Sequence, residues 1–82
     1  MVKVILITAE FCPFCPYARQ VWKELRKDYN FEYEEIDATS EKGMKLVEKF
    51  SIDIVPTTIV DDKIAFIGIP DKNKAREMVE GG

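Results

Sequence analysis

The strongest constraint on the fold is a β-branched run near the amino terminus that is followed closely by a helical pattern. Residues Val2–Thr8 read VKVILIT, which is typical of a buried central strand. From Pro16 onward the apolar residues instead recur every three or four positions, which predicts an amphipathic helix. The apolar positions are Ala18, Val21, Trp22, Leu25 and Tyr29. A buried strand and a helix this close together indicate an α/β chain.

The middle of the chain predicts a second strand and a second helix. Phe31, Tyr33 and Ile36 are interleaved with glutamates and indicate a strand, which completes a βαβ unit. Ser40 is a suitable N-cap for the helix that follows, although Gly43 is unfavourable inside it. The apolar positions of that helix are Met44, Val47 and Phe50.

The last third of the chain predicts a hairpin and a third helix. After a linker at Ser51–Pro56, the runs Thr57–Val60 and Ile64–Ile67 flank a turn sequence of two aspartates and a lysine, which favours antiparallel pairing. Asp71 can cap a third helix, so the predicted element order is βαβαββα. That helix would bury Ala75, Met78 and Val79 and would fray at Gly81 and Gly82.

Composition limits the class of protein. A chain of 82 residues with 46% apolar content and a net charge of -3 predicts one folded domain over residues 1–82. No basic stripe for nucleic acid is present, and the longest apolar stretch, Val4–Ile7, is far shorter than the roughly 20 residues of a membrane span. We therefore expect a cytoplasmic monomer without nucleic-acid or membrane partners. Only three Asn and Gln beside abundant Lys and Glu favour a thermophilic source.

Chemistry in this chain depends on its two cysteines. Histidine is absent, which excludes Ser-His and Cys-His nucleophile pairs. Cys12 and Cys15 lie between the first strand and the first helix; if Cys12 is the N-cap, the amides of Phe14 and Cys15 would stabilise its thiolate. Pro13 suits the first helical position. Pro16 removes a hydrogen bond back to Cys12, which predicts an irregular first turn.

The spacing of the cysteines favours redox exchange over two structural interpretations. Cys15 lies one helical turn after Cys12 and could attack a mixed disulfide formed there. A zinc site would need two more ligands from a second subunit, so no metal site is expected. A structural disulfide would close too short a loop to constrain the unfolded chain strongly. A redox-inert binding domain and a metal- or cluster-binding module stay as alternatives.

The motif resembles the thioredoxin superfamily. A CxxC motif after a strand in a βαβ unit is similar to that superfamily. Cys12-Pro13-Phe14-Cys15 resembles the Cys-Pro-Tyr-Cys motif of glutaredoxins, and Ala9–Cys12 resembles the lead-in of thioredoxins. CPFCPYA also resembles the active site of archaeal protein disulfide oxidoreductases, of which this chain would be one unit. The resemblance covers the whole chain and implies a thioredoxin fold, with a four-stranded mixed sheet in the order β2-β1-β3-β4 and helices on both faces.

The same resemblance implies roles for individual residues. Cys12 would be the attacking thiol and Cys15 the resolving thiol, forming a redox-active disulfide without a bound cofactor. Val55-Pro56-Thr57 resembles the cis-proline segment that lies against this disulfide in the superfamily. A cis turn there would leave the backbone of Val55 available to an extended substrate. The supporting residues would be Pro13, Phe14 and Pro56, and the substrate-binding residues Phe11, Val55, Thr57 and Gly68.

Departures from the family pattern bear on the electron donor. Ala9 stands where glutaredoxins often carry a lysine, and Ile69 replaces the second glycine of a pair that begins at Gly68. Leu6 stands where thioredoxins place a buried acid. We therefore expect a reductase of protein disulfides that receives electrons from a flavin-dependent thioredoxin-type reductase in preference to glutathione. The alternatives are a glutathione-dependent glutaredoxin and an iron-sulfur module bridged by Cys12.

Overall fold

Four strands and three helices follow one another in the predicted order. The computed structural model describes residues 1–80, so the fraying predicted at Gly81 and Gly82 lies outside the described residues. The elements are β1 (Lys3–Thr8), α1 (Cys15–Asp28), β2 (Glu32–Asp37), α2 (Glu41–Phe50), β3 (Thr57–Val60), β4 (Lys63–Ile67) and α3 (Lys72–Glu80). The βαβαββα prediction is confirmed. Among the described helices, none is long and apolar enough to cross a membrane.

The strands form one mixed sheet in the order β2-β1-β3-β4, as the family resemblance implied. β1 is parallel to β2 and antiparallel to β3, and β3 is antiparallel to β4. Ile7 near the end of β1 is paired with Thr57 at the start of β3. The loop that leaves β1 and the loop that enters β3 therefore lie at the same end of the sheet.

The central strand β1 divides the core into two halves. Val4 and Leu6 pack with residues of α1 and α3, whereas Ile5 and Ile7 pack on the other face with residues of α2. This alternation follows from the two-residue period of a strand. Trp22 of α1 is fully buried in the first half, and its indole N–H donates to the Thr58 hydroxyl over 3.2 Å. The predicted inward stripe of α1 thus contacts the sheet, and helices cover both faces.

Helix α2 requires the glycine that looked unfavourable in the sequence. Ser40 caps the helix as predicted, because its hydroxyl accepts a hydrogen bond from the Gly43 N–H over 3.0 Å. A Cβ atom at Gly43 would lie 1.8 Å from the Asp37 carbonyl oxygen, so no other residue fits without movement. Close packing of the helix start on the end of β2 therefore fixes this residue type.

Two methionines are more exposed than the helical pattern predicted. Met44 of α2 and Met78 of α3 are both exposed. In α3 the buried positions are Ala75 and Val79, one turn apart, and Met78 lies outside the line that they form. In α2 the packed positions are Leu46, Val47 and Phe50. The helical periodicity of a sequence predicts the buried face of a helix, but not which residues at the edge of that face are buried. Packing of the helix against the sheet decides that.

The cap of α3 and the turn between β3 and β4 are those that the sequence predicts. Asp71 caps α3 as predicted, because its Oδ1 accepts a hydrogen bond from the Lys74 N–H over 3.0 Å. Asp61 and Asp62 join β3 to β4 with φ angles of 48° and 64°. Two successive residues in the left-handed region match the right-handed twist of a hairpin, and aspartate tolerates this conformation better than most residues. The predicted antiparallel pair is confirmed.

Candidate active site

Cys12 and Cys15 are joined by a disulfide at the end of the sheet where β1 ends. Their Cα atoms are 5.5 Å apart, within the usual range for a disulfide. Cys12 lies in the loop after β1 and is half-buried, whereas Cys15 begins α1 and is only 2% exposed. A partner can therefore reach the sulfur of Cys12 more readily than that of Cys15.

Helix α1 begins later than the sequence suggested. The stabilisation expected at Cys12 assumed that Cys12 is the N-cap, but the N-cap is Phe14, whose carbonyl oxygen accepts from the N–H groups of Tyr17 and Ala18. Pro16 consequently lies in the first helical turn. A backbone N–H at that position has no intrahelical acceptor, so proline removes no helical hydrogen bond there. The predicted loss of a hydrogen bond at Pro16 was therefore wrong, and Pro13 precedes the helix instead of starting it.

The predicted stabilisation of the Cys12 sulfur is present in part. The backbone N–H of Cys15 donates to the Cys12 Sγ over 3.1 Å. Within residues 1–80, the Phe14 N–H donates no hydrogen bond to the Cys12 Sγ. Phe14 is the N-cap of α1, so its N–H precedes the first turn of the helix. The amino-terminal end of α1, with its positive partial charge, thus points one donor at the Cys12 sulfur.

The loop before β3 lies at the same end of the sheet as the disulfide loop. The Val55-Pro56 peptide bond is cis, as the resemblance implied. Pro56 is buried, and its carbonyl oxygen accepts a hydrogen bond from the Gly68 N–H over 2.7 Å. Gly68 adopts a φ of 88°, which favours glycine. The fold therefore brings Val55, Pro56, Thr57 and Gly68 together at the end of the sheet that carries the cysteines.

Exposed apolar side chains surround the disulfide. Phe11 is 97% exposed with a φ of 61°, and Phe14 and Tyr17 are 57% and 63% exposed. Three exposed aromatic side chains so close in sequence form an apolar patch, and exposed apolar patches often mark binding sites. Thr57, one of the predicted substrate-binding residues, is instead buried, and its hydroxyl donates to the Ile54 carbonyl oxygen.

A second apolar feature, which the sequence reasoning missed, lies beyond Pro56. A groove of about 100 Å³ runs between the loop before β3 and the edge strand β4; we call it the aliphatic groove. It is lined by Ser51, Ile52, Asp53, Ile54, Thr57, Ile64 and Ile67. Ile54 and Ile67 are more than half exposed. The signal available in the sequence was an isoleucine two positions before the proline together with two isoleucines on an edge strand.

The aliphatic groove is small. Small-molecule sites commonly enclose about 300–1,000 Å³, so the aliphatic groove fits a single side chain. A larger cleft of about 410 Å³ involves Lys3 and Glu32, which begin β1 and β2 at the opposite end of the sheet. In the described part of the chain, no group of three or more His, Cys, Asp or Glu side chains could hold a metal ion.

Charged and apolar groups near the cysteines differ from the thioredoxin pattern. Leu6, in the position of the thioredoxin acid, is fully buried among apolar residues. A carboxylate, that of Asp37, lies at the end of β2, where Asp37 is paired with Thr8 at the end of β1. Hydrogen bonds from the hydroxyl and backbone N–H of Thr39 hold the pKa of Asp37 below its ordinary value. That carboxylate therefore stays charged at neutral pH.

A sheet in this order, with a CxxC disulfide at the start of α1 and a cis-proline before β3, defines a thiol-disulfide oxidoreductase of the thioredoxin fold. The sequence model of the thioredoxin domain family matches residues 1–80. The chain is 30% identical to a probable thioredoxin of Archaeoglobus fulgidus, over 96% of this chain and 87% of the relative. It is also 30% identical to a thioredoxin of Methanocaldococcus jannaschii, over 96% of this chain and 93% of the relative.

Solved structures agree on the fold. A thioredoxin-like protein from Clostridium perfringens superposes with a TM-score of 0.79 at 23% identity, covering 99% of this chain and 70% of that one. A mutant thioredoxin from Halobacterium salinarum superposes with a TM-score of 0.78 at 19% identity, covering 98% and 73%. The protein belongs to the thioredoxin domain family.

Proposed function

We propose that the protein reduces disulfides of other proteins, with Cys12 as the attacking thiol and Cys15 as the resolving thiol. The observation that carries this assignment is the asymmetry of the pair. Cys12 is half-buried and accepts a hydrogen bond from the amino-terminal end of α1, whereas Cys15 is buried. A donor aimed at a sulfur favours the thiolate and lowers the thiol pKa, and the thiolate is the nucleophile.

The reaction proceeds in two exchange steps. The Cys12 thiolate attacks one sulfur of the substrate disulfide, and the other substrate sulfur leaves as a thiolate and takes a proton from water. The Cys15 thiol then loses its proton to water, and its thiolate attacks the Cys12 sulfur of the mixed disulfide. The second substrate sulfur leaves as a thiolate and takes up a proton. Two electrons pass to the substrate, and Cys12 and Cys15 end as a disulfide. No bound cofactor takes part in either step.

Supporting residues position the substrate beside Cys12. Pro13 and Phe14 shape the loop, and Pro56 is buried at the adjacent loop. The backbone of Val55 pairs with an extended substrate segment in the manner of strand addition. Phe11, Thr57 and Gly68 complete the surface on which the segment lies. Thr57 acts through its backbone, because its side chain is buried.

The electron donor is a flavin-dependent thioredoxin-type reductase. Ala9 and Ile69 support this choice over glutathione, because they replace two features of the glutathione site in similar proteins. The protein works as a monomer in the cytoplasm, and the composition favours a thermophilic source. These assignments follow from the family resemblance and from the sequence.

Two reducing systems, supplied side by side, test the proposal. The oxidised protein is mixed with a disulfide-bonded protein substrate, either with NADPH and a thioredoxin reductase or with NADPH, glutathione and glutathione reductase. We expect NADPH oxidation to depend on both cysteines and to be faster in the first system. The Cys12→Ser and Cys15→Ser variants serve as controls. Efficient turnover with glutathione alone would place the protein among the glutaredoxins, and visible absorbance of the purified protein would indicate a cluster.

A further inference from the structure

The second exchange step needs a thiolate at a buried position. Cys15 is only 2% exposed, and burial disfavours the charged form of a thiol. The hydrogen bond at the start of α1 serves the other cysteine, because the Cys15 N–H donates to the Cys12 Sγ. Val4, Leu6 and Thr8, the residues of β1 on the face that α1 covers, carry no charge. Side-chain charge that favours the Cys15 thiolate must therefore come from outside β1.

An ion pair lies one helical turn after Cys15. Arg19 is four residues further along α1, about 6 Å along the helix axis, and side chains in a helix lean back toward its amino-terminal end. The Arg19 Nε and Nη2 donate to the two carboxylate oxygens of Glu35 over 2.6 and 2.9 Å. A pair with two parallel hydrogen bonds holds the guanidinium in one orientation. The Arg19–Glu35 pair thus fixes a positive charge about 10 Å or less from the Cys15 sulfur, with a carboxylate beside it.

Glu35 lies on the sheet face that α1 covers. It is paired in register with Leu6, and Tyr33, two positions earlier in β2, packs in the same half of the core as Leu6. The alternation of the described strands places one further carboxylate on this face, that of Asp37, and its Oδ1 accepts a hydrogen bond from the Thr39 N–H. Tyr33 is neutral at pH values well below 12, because burial raises its pKa to about 12. Glu35 is therefore the carboxylate of this face that is bound to α1.

Charged groups of the other elements on this face lie further from Cys15. Lys63 begins β4, at the opposite end of the sheet from the cysteines. In α3 the buried residues are uncharged, and Lys72 at its start has its Nζ 2.9 Å from Glu24. Glu24 is nine residues after Cys15, about 14 Å along the axis of α1. Of the ion pairs that α1 makes in the described chain, the Arg19–Glu35 pair is the one nearest to Cys15.

We propose that the Arg19–Glu35 pair controls how readily Cys15 ionises in the second exchange step: the Arg19 guanidinium favours the thiolate, and Glu35 holds the guanidinium in place and offsets part of its charge. The inference rests on the proposed function, because it concerns the resolving step of the same cysteine pair. The proton of the Cys15 thiol still passes to water. Both residues act through Cys15 and are positioning residues.

A single-turnover assay isolates the resolving step. The fully reduced protein is mixed with an excess of an aromatic disulfide whose thiolate product is coloured. Formation of the mixed disulfide on Cys12 depends on the concentration of the reagent, whereas the attack by Cys15, which releases the second coloured thiolate, is first order and independent of it. The rate of this second phase is measured between about pH 6 and 9, where arginine and glutamate side chains ordinarily keep their charges.

Removal of either charge should shift the pH profile of the second phase in an opposite direction. Arg19→Gln leaves Glu35 unpaired and should raise the midpoint by about half a pH unit at low ionic strength, and Glu35→Gln leaves Arg19 unpaired and should lower it by a similar amount. A thiol of lower pKa is also a weaker nucleophile, so the rate at about pH 7 should fall about twofold in the first variant and rise about twofold in the second. The double variant should lie close to the wild type. Because the two side chains are 35% and 32% exposed, about 0.5 M salt should reduce both shifts.

The Lys42–Glu34 pair supplies a matched control. It also joins a helix to β2, with the Lys42 Nζ 2.8 Å from Glu34, but it lies on the face of the sheet that α2 covers. Lys42→Gln and Glu34→Gln change the total charge of the protein by the same amounts as the two test variants. We expect each to move the midpoint by less than about 0.2 pH units.

A structural role of the pair would give a different pattern, because both single variants lose the same contact. Shifts of the two test variants in the same direction, no shift in either, or equal shifts in the control variants would overturn the inference and leave the proposed function intact. Absence of the second phase in the wild-type protein would instead contradict the resolving role of Cys15 and with it the proposed function. Exposed ion pairs contribute little to stability, so all of the variants should fold, and thermal denaturation verifies this.

Discussion

At the scale of single residues, the indole N–H of the buried Trp22 has one hydrogen-bond acceptor, the hydroxyl of Thr58. This hydrogen bond lies inside the core, where water does not replace a lost partner. We predict that Thr58→Val lowers the free energy of unfolding by about 1–3 kcal/mol, because valine keeps the shape and removes the acceptor. Chemical denaturation followed by tryptophan fluorescence measures the change. Thr58→Ser retains the hydroxyl and is the control; a larger loss for serine than for valine would contradict the role assigned to the hydrogen bond.

Removal of the Tyr33 hydroxyl, in contrast, is expected to stabilise the protein. The hydroxyl oxygen is buried and has no hydrogen-bond partner among the described residues. Burial, with a smaller contribution from the charge of Glu35, raises the pKa of Tyr33 to about 12. We predict that Tyr33→Phe raises the free energy of unfolding at pH 7 by about 1 kcal/mol, because an unsatisfied polar group is removed.

The pH dependence of the same variant follows from the direction of the shift. In the unfolded chain Tyr33 ionises near its ordinary pKa of 10.0, whereas in the folded chain it stays neutral until about pH 12. The contribution of the neutral phenol is complete below pH 10 and is lost as the pH rises toward 12. The stability gained by Tyr33→Phe should therefore grow between these values. Denaturation of both proteins at several alkaline pH values measures it; a constant difference would contradict the shift.

At the scale of secondary structure, α2 provides a prediction against helix propensity. Alanine normally stabilises a helix interior relative to glycine by about 1 kcal/mol. Here a Cβ at Gly43 would collide with the Asp37 carbonyl oxygen, which is backbone and cannot rotate away. We predict that Gly43→Ala lowers the free energy of unfolding by about 1–3 kcal/mol.

An exposed position on the same helix supplies the control for Gly43→Ala. Lys45 has a side chain 78% exposed, with its Nζ 3.9 Å from Glu41. Lys45→Ala should change stability by less than about 0.5 kcal/mol, since the lost ion pair is solvated. Thermal or urea denaturation compares the two variants. Stabilisation by Gly43→Ala would show that α2 can move away from β2 at little cost.

The elements themselves could be predicted because their signals are local. The β-branched run of β1, the Ser40 cap and the Asp71 cap each involve residues close in sequence, and the structure confirms them. The start of α1 could not be fixed, since Pro13 and Pro16 are both acceptable near a helix start and the surrounding loop decides between them. The left-handed conformation of Phe11 had no signal in the residue type.

At the scale of the whole molecule, sequence periodicity predicts the helices and strands but not which strands pair with each other in the sheet. The order β2-β1-β3-β4 depends on contacts between distant segments, such as that of Ile7 with Thr57, and it was available only from the family resemblance. The cis-proline was likewise available only from the resemblance, whereas the cysteine pair was identified from its own position and spacing. The aliphatic groove was missed because Ile54 and Ile67 are brought together only when β3 pairs with β4.

The central claim is that Cys12 forms the covalent bond to the substrate and Cys15 breaks it. A disulfide-bonded protein is incubated with each reduced single variant, quenched with an alkylating agent, and the disulfide-linked products are identified by mass spectrometry. We predict that Cys15→Ser accumulates a mixed disulfide through Cys12 and that Cys12→Ser accumulates none, because Cys15 is only 2% exposed. A mixed disulfide through Cys15, with none through Cys12, would contradict the assignment.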